Sequence, residues 1–363
     1  MSAVRGLVLC TALFAAGAAS GMPLEDGKFF INGYGRLATG KSWGNNYLGT
    51  NQDVGLHDMG STLMFRALPV ERLTLNTQFS FEKISTSADF KPSVDYAFAE
   101  WAFSDKLRLR AGRNQLPLGL YSEIYDVGTL RPFNQLPQGT YGGTSIGVEN
   151  YDGVGLTGRV SVTGEWMVEY DAYGGFLDLK DPLSAACGTS GQCERPAQVL
   201  GGRLSLWTPV EGLRFTTSGY ASRDPEKLQG EHQVRGVVGL GAEYLGESFW
   251  ARAEFFNLFS EAADTRAGYL ELAYFLTQHW QVAGRLESSR SWLPGFPASA
   301  LTLLRHREAA VGVNFWVTPQ FVFKLSFHNV IGNRFARPAD PATPIASLEP
   351  HTRTVSLGTQ FSF

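Results

Sequence analysis

Long apolar runs are missing from this sequence. Past the N-terminus no stretch reaches the roughly 18 apolar residues that a membrane-spanning helix needs. Mean hydropathy is −0.11, the value of a soluble chain and far below that of a helical membrane bundle. Charge is sparse at 18%, and the net charge of −3 is too near neutral to suggest a nucleic-acid partner. The six histidines (His57, His232, His279, His306, His328, His351) are scattered without ligand spacing, so no metal or other cofactor is expected. No nucleophile-elbow or zincin pattern occurs, so no enzyme is expected. Gly153-Val154-Gly155-Leu156-Thr157-Gly158 matches G-x-G-x-x-G, but a loop precedes it and a strand pattern follows, which excludes the dinucleotide fingerprint.

Cysteine is also scarce, with three in 363 residues. Residues 1–20 read as a secretory signal. Arg5 is the positive region, Leu7 to Ala16 the apolar core, and Ala16-Gly17-Ala18 or Ala18-Ala19-Ser20 the small residues for cleavage. Cys10 leaves with that segment. Cys187 and Cys193 remain, in a Gly, Ser, Thr and Pro context that suits a loop disulfide in an oxidising compartment. A metal site there would want a nearby His or further Cys, and none is present.

What the mature part, 21–363, has in abundance is period-two alternation. Leu73, Leu75, Thr77, Phe79 and Phe81 fall on one face, and Thr74, Asn76, Gln78, Ser80 and Glu82 on the other. Sixteen such strands can be counted. They lie near 28–39, 55–68, 71–82, 93–104, 106–113, 153–162, 166–174, 198–207, 212–222, 233–245, 248–257, 267–277, 279–288, 306–316, 320–329 and 352–363. Their connections alternate between short turns and long loops. That rhythm predicts an all-β transmembrane barrel, antiparallel and up-and-down, with long loops at one end. An even strand count closes the sheet, as a bilayer requires of any spanning sheet. Phe81, Phe103, Trp166, Tyr244, Phe249, Tyr274, Trp280, Phe321 and Phe363 are candidates for interfacial girdles.

One connection stands out. After Leu107-Arg108-Leu109-Arg110-Ala111-Gly112-Arg113 come about 38 residues without periodicity, Asn114 to Tyr151. A run of that length in a compact domain is functional or disordered. It is expected to fold into the lumen as the third long loop. The inward arginines Arg36, Arg66, Arg108 and Arg110, with Arg113, then form a basic wall. Glu123, Asp126 and Glu149 on the loop are the acids opposite, and such a pair of faces sets a transverse field across a constriction. A second reading has the arginines merely pairing with Glu82, Glu100 and one another to satisfy a polar lining. Inward acids and bases look balanced, so strong ion selectivity is not expected.

Gly33-Tyr34-Gly35-Arg36 in the first strand, the Arg110-Ala111-Gly112-Arg113 strand end before a long third loop, and the terminal Phe361-Ser362-Phe363 together resemble the Gram-negative outer-membrane porins. The resemblance implies a sixteen-stranded barrel, commonly a homotrimer, in the bacterial outer membrane. It also implies a third loop folded inward and a final aromatic, Phe363, read by the barrel assembly machinery. The acidic Pro-Glu-Phe-x-Gly motif of enteric general porins is absent, and so is the lysine-rich arrangement of phosphate-selective ones. The expected function is passive diffusion of small hydrophilic solutes and ions through a water-filled channel. The rivals are a substrate-specific porin for sugars or organic anions, using inward aromatics such as Tyr34, Tyr96, Trp250 and Tyr269, and a plugged barrel serving as adhesin or anchor.

Overall fold

The computed structural model describes residues 22–24, 27–84, 91–142, 146–180, 194–224, 233–260, 263–338 and 347–363. The signal segment, Cys187, Cys193 and His232 lie outside them. The strands are β1 (Met22–Leu24), β2 (Phe29–Trp43), β3 (Gly55–Val70), β4 (Leu73–Ile84), β5 (Lys91–Ser104), β6 (Leu107–Gln115), β7 (Asn150–Ser161), β8 (Met167–Lys180) and β9 (Glu194–Trp207). The chain continues with β10 (Leu213–Asp224), β11 (Gln233–Leu245), β12 (Phe249–Ser260), β13 (Asp264–Phe275), β14 (Trp280–Trp292), β15 (Arg305–Thr318), β16 (Phe321–Ile331) and β17 (His351–Ser362). Each of β2 to β17 matches one strand expected from the alternation.

From β2 onward every strand pairs antiparallel with the next in sequence, and β17 pairs back onto β2. The result is a closed sixteen-stranded barrel. β1 is a short stub on β2, with Leu24 opposite Phe29 and Met22 opposite Ile31. Pairing of β17 with β2 ends at Tyr34. The stub therefore continues the same edge of β2 below the C-terminus.

The faces are inverted relative to a soluble protein. On β16, Phe323, Leu325 and Phe327 are 42%, 49% and 40% exposed, while Lys324, Ser326 and His328 between them are 1–3% exposed. Period-two geometry places the two sets on opposite faces, and an apolar outer face is stable only against lipid. Of the girdle candidates, Phe81, Phe103, Trp166, Phe249, Tyr274, Trp280 and Phe363 are exposed on that outer face.

The long connection after β6 runs from 116 to 149 and enters the lumen. Gly119 makes the inward turn at φ +74°, and a Cβ there would meet the Tyr141 hydroxyl at 2.2 Å. Two 3-10 turns (Ser122–Ile124, Gly128–Leu130) and one helical turn (Gln138–Tyr141) follow. Inside the barrel, Leu116, Leu118 and Ile146 pack against Tyr173, Val199, Val237 and Phe256. Tyr121, Ile124, Val127 and Leu136 pack against Tyr34 and Tyr269. Phe133 packs on Ala273, Ala283 and Ala310. Burying these side chains stabilises the inward position by on the order of 1.5–3 kcal/mol for each large one.

Candidate functional site

Register alone builds one inner wall. Across β10 to β14, Arg214 lies opposite Glu243, Glu243 opposite Arg252, Arg252 opposite Glu271, and Glu271 opposite Arg285. The sign alternates at each strand, so each charge has opposite neighbours. Arg214 meets Glu243 at 2.9 Å, Arg252 reaches the other Glu243 oxygen at 2.5 Å, and Arg285 reaches Glu308 at 2.9 Å. These side chains are nearly all buried, which is tolerable only because they are paired.

The same row holds the loop. Arg252 donates to the Tyr121 hydroxyl at 3.2 Å and the Leu130 carbonyl at 3.1 Å, and its guanidinium lies 5.0 Å from the Tyr121 ring centre. Arg285 donates to the Gln135 carbonyl at 2.7 Å, and Asn314 to the Pro132 carbonyl at 2.9 Å. The Lys324 ammonium donates to the Gly128 carbonyl at 2.7 Å and also to the Arg131 carbonyl and Gln360. Glu254 accepts from Leu120 N–H at 2.8 Å and from the Tyr141 hydroxyl at 2.5 Å. An irregular segment has no ladder for its backbone groups, and buried groups must find partners. Here the β10–β17 wall supplies them.

The arginines singled out from sequence lie mostly on the other wall. Arg36 bonds Asp58 at 2.9 Å and also Glu82. Arg110 bonds Glu100 at 2.6 Å, and Arg108 sits 3.6 Å from the same carboxylate. Arg66 is half-buried on the inner face of β3, opposite Asn76. Local pairing, with Glu82 and Glu100 as partners, therefore neutralises much of the basic wall. Arg113 departs from expectation. It lies opposite Asp152, 3.3 Å away, on the parity that carries the outward Leu109, Val154 and Leu156. Its place is the outer face of the barrel, not the lumen, because it stands three positions after Arg110 in a period-two strand.

Glu123 and Asp126 of the loop bond other partners. Glu123 pairs with Arg203 of β9, which also bonds Asp171 at 2.8 Å. Burial works to raise the Glu123 carboxyl, but Arg203, then Arg214 and Arg110, outweigh it and bring it to about 2. Asp126 accepts from Gln78 at 2.6 Å, and the same amide donates to Asp95 at 3.0 Å. Burial, then Asp95 and Glu149, push Asp126 up to about 7, against a lowering pull from Arg36. Asp95, Asp126 and Glu149, with Ser122, Tyr125 and Asn150, line a narrow cleft between the loop and the wall. The structure thus brings Asp126 and Glu149 together but sets Glu123 apart, against Arg203 of β9.

At the seam, Phe363 N–H donates to the Gly33 carbonyl at 2.9 Å, and Gly33 N–H to the Phe363 carbonyl at 3.0 Å. The Phe363 ring covers Gly33 and the Phe361 ring covers Gly35, where a Cβ would come within 2.2 and 2.3 Å of them. The Gly-Tyr-Gly-Arg motif and the terminal aromatics are one feature.

No family model and no curated protein matches the sequence. Solved structures do match. The outer membrane channel DcaP of Acinetobacter baumannii aligns with TM-score 0.61 at 9% identity, over 95% of this chain and 100% of that one. OmpF of Salmonella typhi, in a complex with daunomycin, gives 0.60 at 12% over 94% and 100%. An anion-selective porin from Comamonas acidovorans gives 0.60 at 10% over 92% and 99%.

This chain has the fold of the Gram-negative outer-membrane porins. Within that porin fold, the residues missed from sequence are Arg203, Arg214, Arg252, Arg285 and Lys324 with their acids. Their joint role emerges only from register between strands distant from the loop.

Proposed function

We propose that the barrel is an outer-membrane diffusion channel for small hydrophilic solutes and ions, and that it requires no catalytic chemistry. The observation that carries this reading is solvent exposure at charged inward positions. Arg110 on the β6 wall and Glu123 on the loop retain 33% and 31% exposure, although the opposite half of the lumen is packed. Water therefore reaches charged groups on both the wall and the loop, which a plugged anchor would not need. The route lies between the loop and the β2–β8 wall, and the mechanism is size exclusion with modest charge tuning.

Pairing of Arg36, Arg108 and Arg110 with wall carboxylates favours weak ion selectivity. The anion selectivity of the Comamonas porin is therefore not carried over. The sugar-binding alternative is weakened, since Tyr34, Tyr96 and Tyr269 are all buried, Tyr34 and Tyr269 pack against the loop, and the partly buried Trp250 packs against the cluster around Phe133. The signal segment and Phe363 fit export and recognition by the assembly machinery. An OmpT structure from Vibrio cholerae is described as a trimer form, and a homotrimer is the assembly proposed here. Planar-bilayer recording of the refolded full chain tests the reading. Ohmic single-channel steps are expected; a correctly folded barrel that gives none would overturn it. Replacing Arg108 and Arg110 together by Gln leaves Glu100 unpaired and should move the reversal potential towards cations.

A further inference from the structure

Three inward side chains of β14 and β15, with Tyr47 of the 44–54 loop, bring their oxygen and nitrogen atoms close together. Glu287 and Glu308 lie directly opposite each other on adjacent strands. His306 Nε2 lies 3.2 Å from Glu287 Oε1, 3.8 Å from Glu308 Oε2 and 3.5 Å from the Tyr47 hydroxyl. Tyr47 also bonds Glu308 Oε2. A tetrahedron with metal–ligand bonds of about 2.0–2.1 Å has edges of about 3.3 Å, so the three separations from His306 Nε2 are close to those of a zinc coordination shell.

Three further observations point the same way. First, three carboxylates converge on one guanidinium. Arg285 alone touches Glu271, Glu287 and Glu308, and it shares Glu271 with Arg252. Two like charges held side by side in a dry site are strongly unfavourable. Second, Arg285 binds the outer oxygens, Glu287 Oε2 at 3.8 Å and Glu308 Oε1 at 2.9 Å, and His328 Nδ1 meets Glu308 Oε1 at 2.9 Å. The inner oxygens are left facing His306, which is how a supporting shell orients metal ligands. Third, Glu287, His306 and Glu308 are all fully buried, and one ligand atom from each lies within 4.8 Å of the others. The His306 ring is also fixed, stacked on Tyr47 and edge-on to Phe335.

We propose that Glu287, His306 and Glu308, capped by Tyr47, bind a divalent transition-metal cation of the zinc class. The site is structural. It ties the 44–54 loop, which bears Tyr47, to β14 and β15. Through Glu287, which accepts Gly139 N–H, it also fixes the end of the lumen loop. The sequence did not suggest it, because Tyr47 lies far from the other three ligands in the chain and the motif has no compact spacing.

The test is metal content of the full chain refolded into detergent with Zn2+ and then dialysed. About one Zn2+ per barrel is expected, and Co2+ in its place should give the intense visible absorption of a four-coordinate ion. His306→Gln should lose the metal while His351→Gln, at an exposed histidine, keeps it. Tyr47→Phe removes only the cap and should weaken affinity by about tenfold while the barrel stays heat-modifiable on gels. A folded wild-type barrel without stoichiometric metal, or metal retained equally in folded Tyr47→Phe and His306→Gln, would overturn the proposal.

Discussion

Glu123, at the inner tip of the lumen loop, is held by Arg203 of β9 across the barrel interior. The guanidinium is only 4% exposed and is shared with Asp171. The loop is therefore latched at a wall distinct from the one that bears Arg36, Arg108 and Arg110. The two substitutions at this latch should differ in cost. Glu123→Gln leaves Arg203 on Asp171 and removes one charged hydrogen bond, a loss of about 1.5–3 kcal/mol in loop docking. Arg203→Met strands two carboxylates and should cost about 3–5 kcal/mol. Protease accessibility of residues 116–142 in the folded barrel measures both. Equal susceptibility of the two variants would show that the latch is not Arg203.

Asp126 gives the loop a pH dependence of opposite sign to that of Glu123. Its carboxyl is raised from 3.8 to about 7, so the docked loop favours the neutral acid. Docking is strongest below about pH 4, weakens as pH rises from there through about 7, and is level above that. Charging Asp126 beside Asp95 and Glu149 should loosen the loop and add cation preference. The expected readout is a conductance and reversal potential that change across that window in the wild type and change less in Asp126→Asn. If Asp126→Asn keeps the full pH response, another group carries it.

The strands and their faces were legible in the sequence because one face meets lipid and the other water, and that contrast writes itself into every second residue. Strand ends towards the loops were less legible. β2 continues past Thr39 to Trp43, and β8 continues past Gly174 to Lys180. Beyond the bilayer both faces meet polar surroundings, so the alternation fades while the ladder continues. The wall pairs Arg36–Glu82 and Arg110–Glu100 were within reach because they join neighbouring or next-neighbouring strands. Arg113 could have been set aside by counting, since an odd separation from Arg110 reverses its face. The Glu123–Arg203 contact was out of reach. It depends on how an aperiodic segment crosses the lumen, which no local pattern encodes.

The seam offers the sharpest test of closure. Gly35 lies on the outer face of β2 beneath the Phe361 ring, and a Cβ there would sit 2.3 Å from its Cζ. Gly35→Val must displace that ring or part the β2–β17 pair, in which Gly35 and Phe361 are cross-strand partners. Overpacking of this kind costs about 1–3 kcal/mol. The cost should fall where the barrel closes, lowering the temperature at which the folded band converts to the unfolded one on heat-modifiability gels. Phe361→Ala alone loses apolar contact with lipid and with Gly35, and should be mildly destabilising. Combined with Gly35→Val it removes the obstacle, so the double variant should be more stable than the sum of the singles predicts. A coupling of 0.5 kcal/mol or more, roughly the least expected for residues in contact, identifies the pair as acting directly. Strict additivity would mean that the ring moves away freely and that closure does not depend on the glycine.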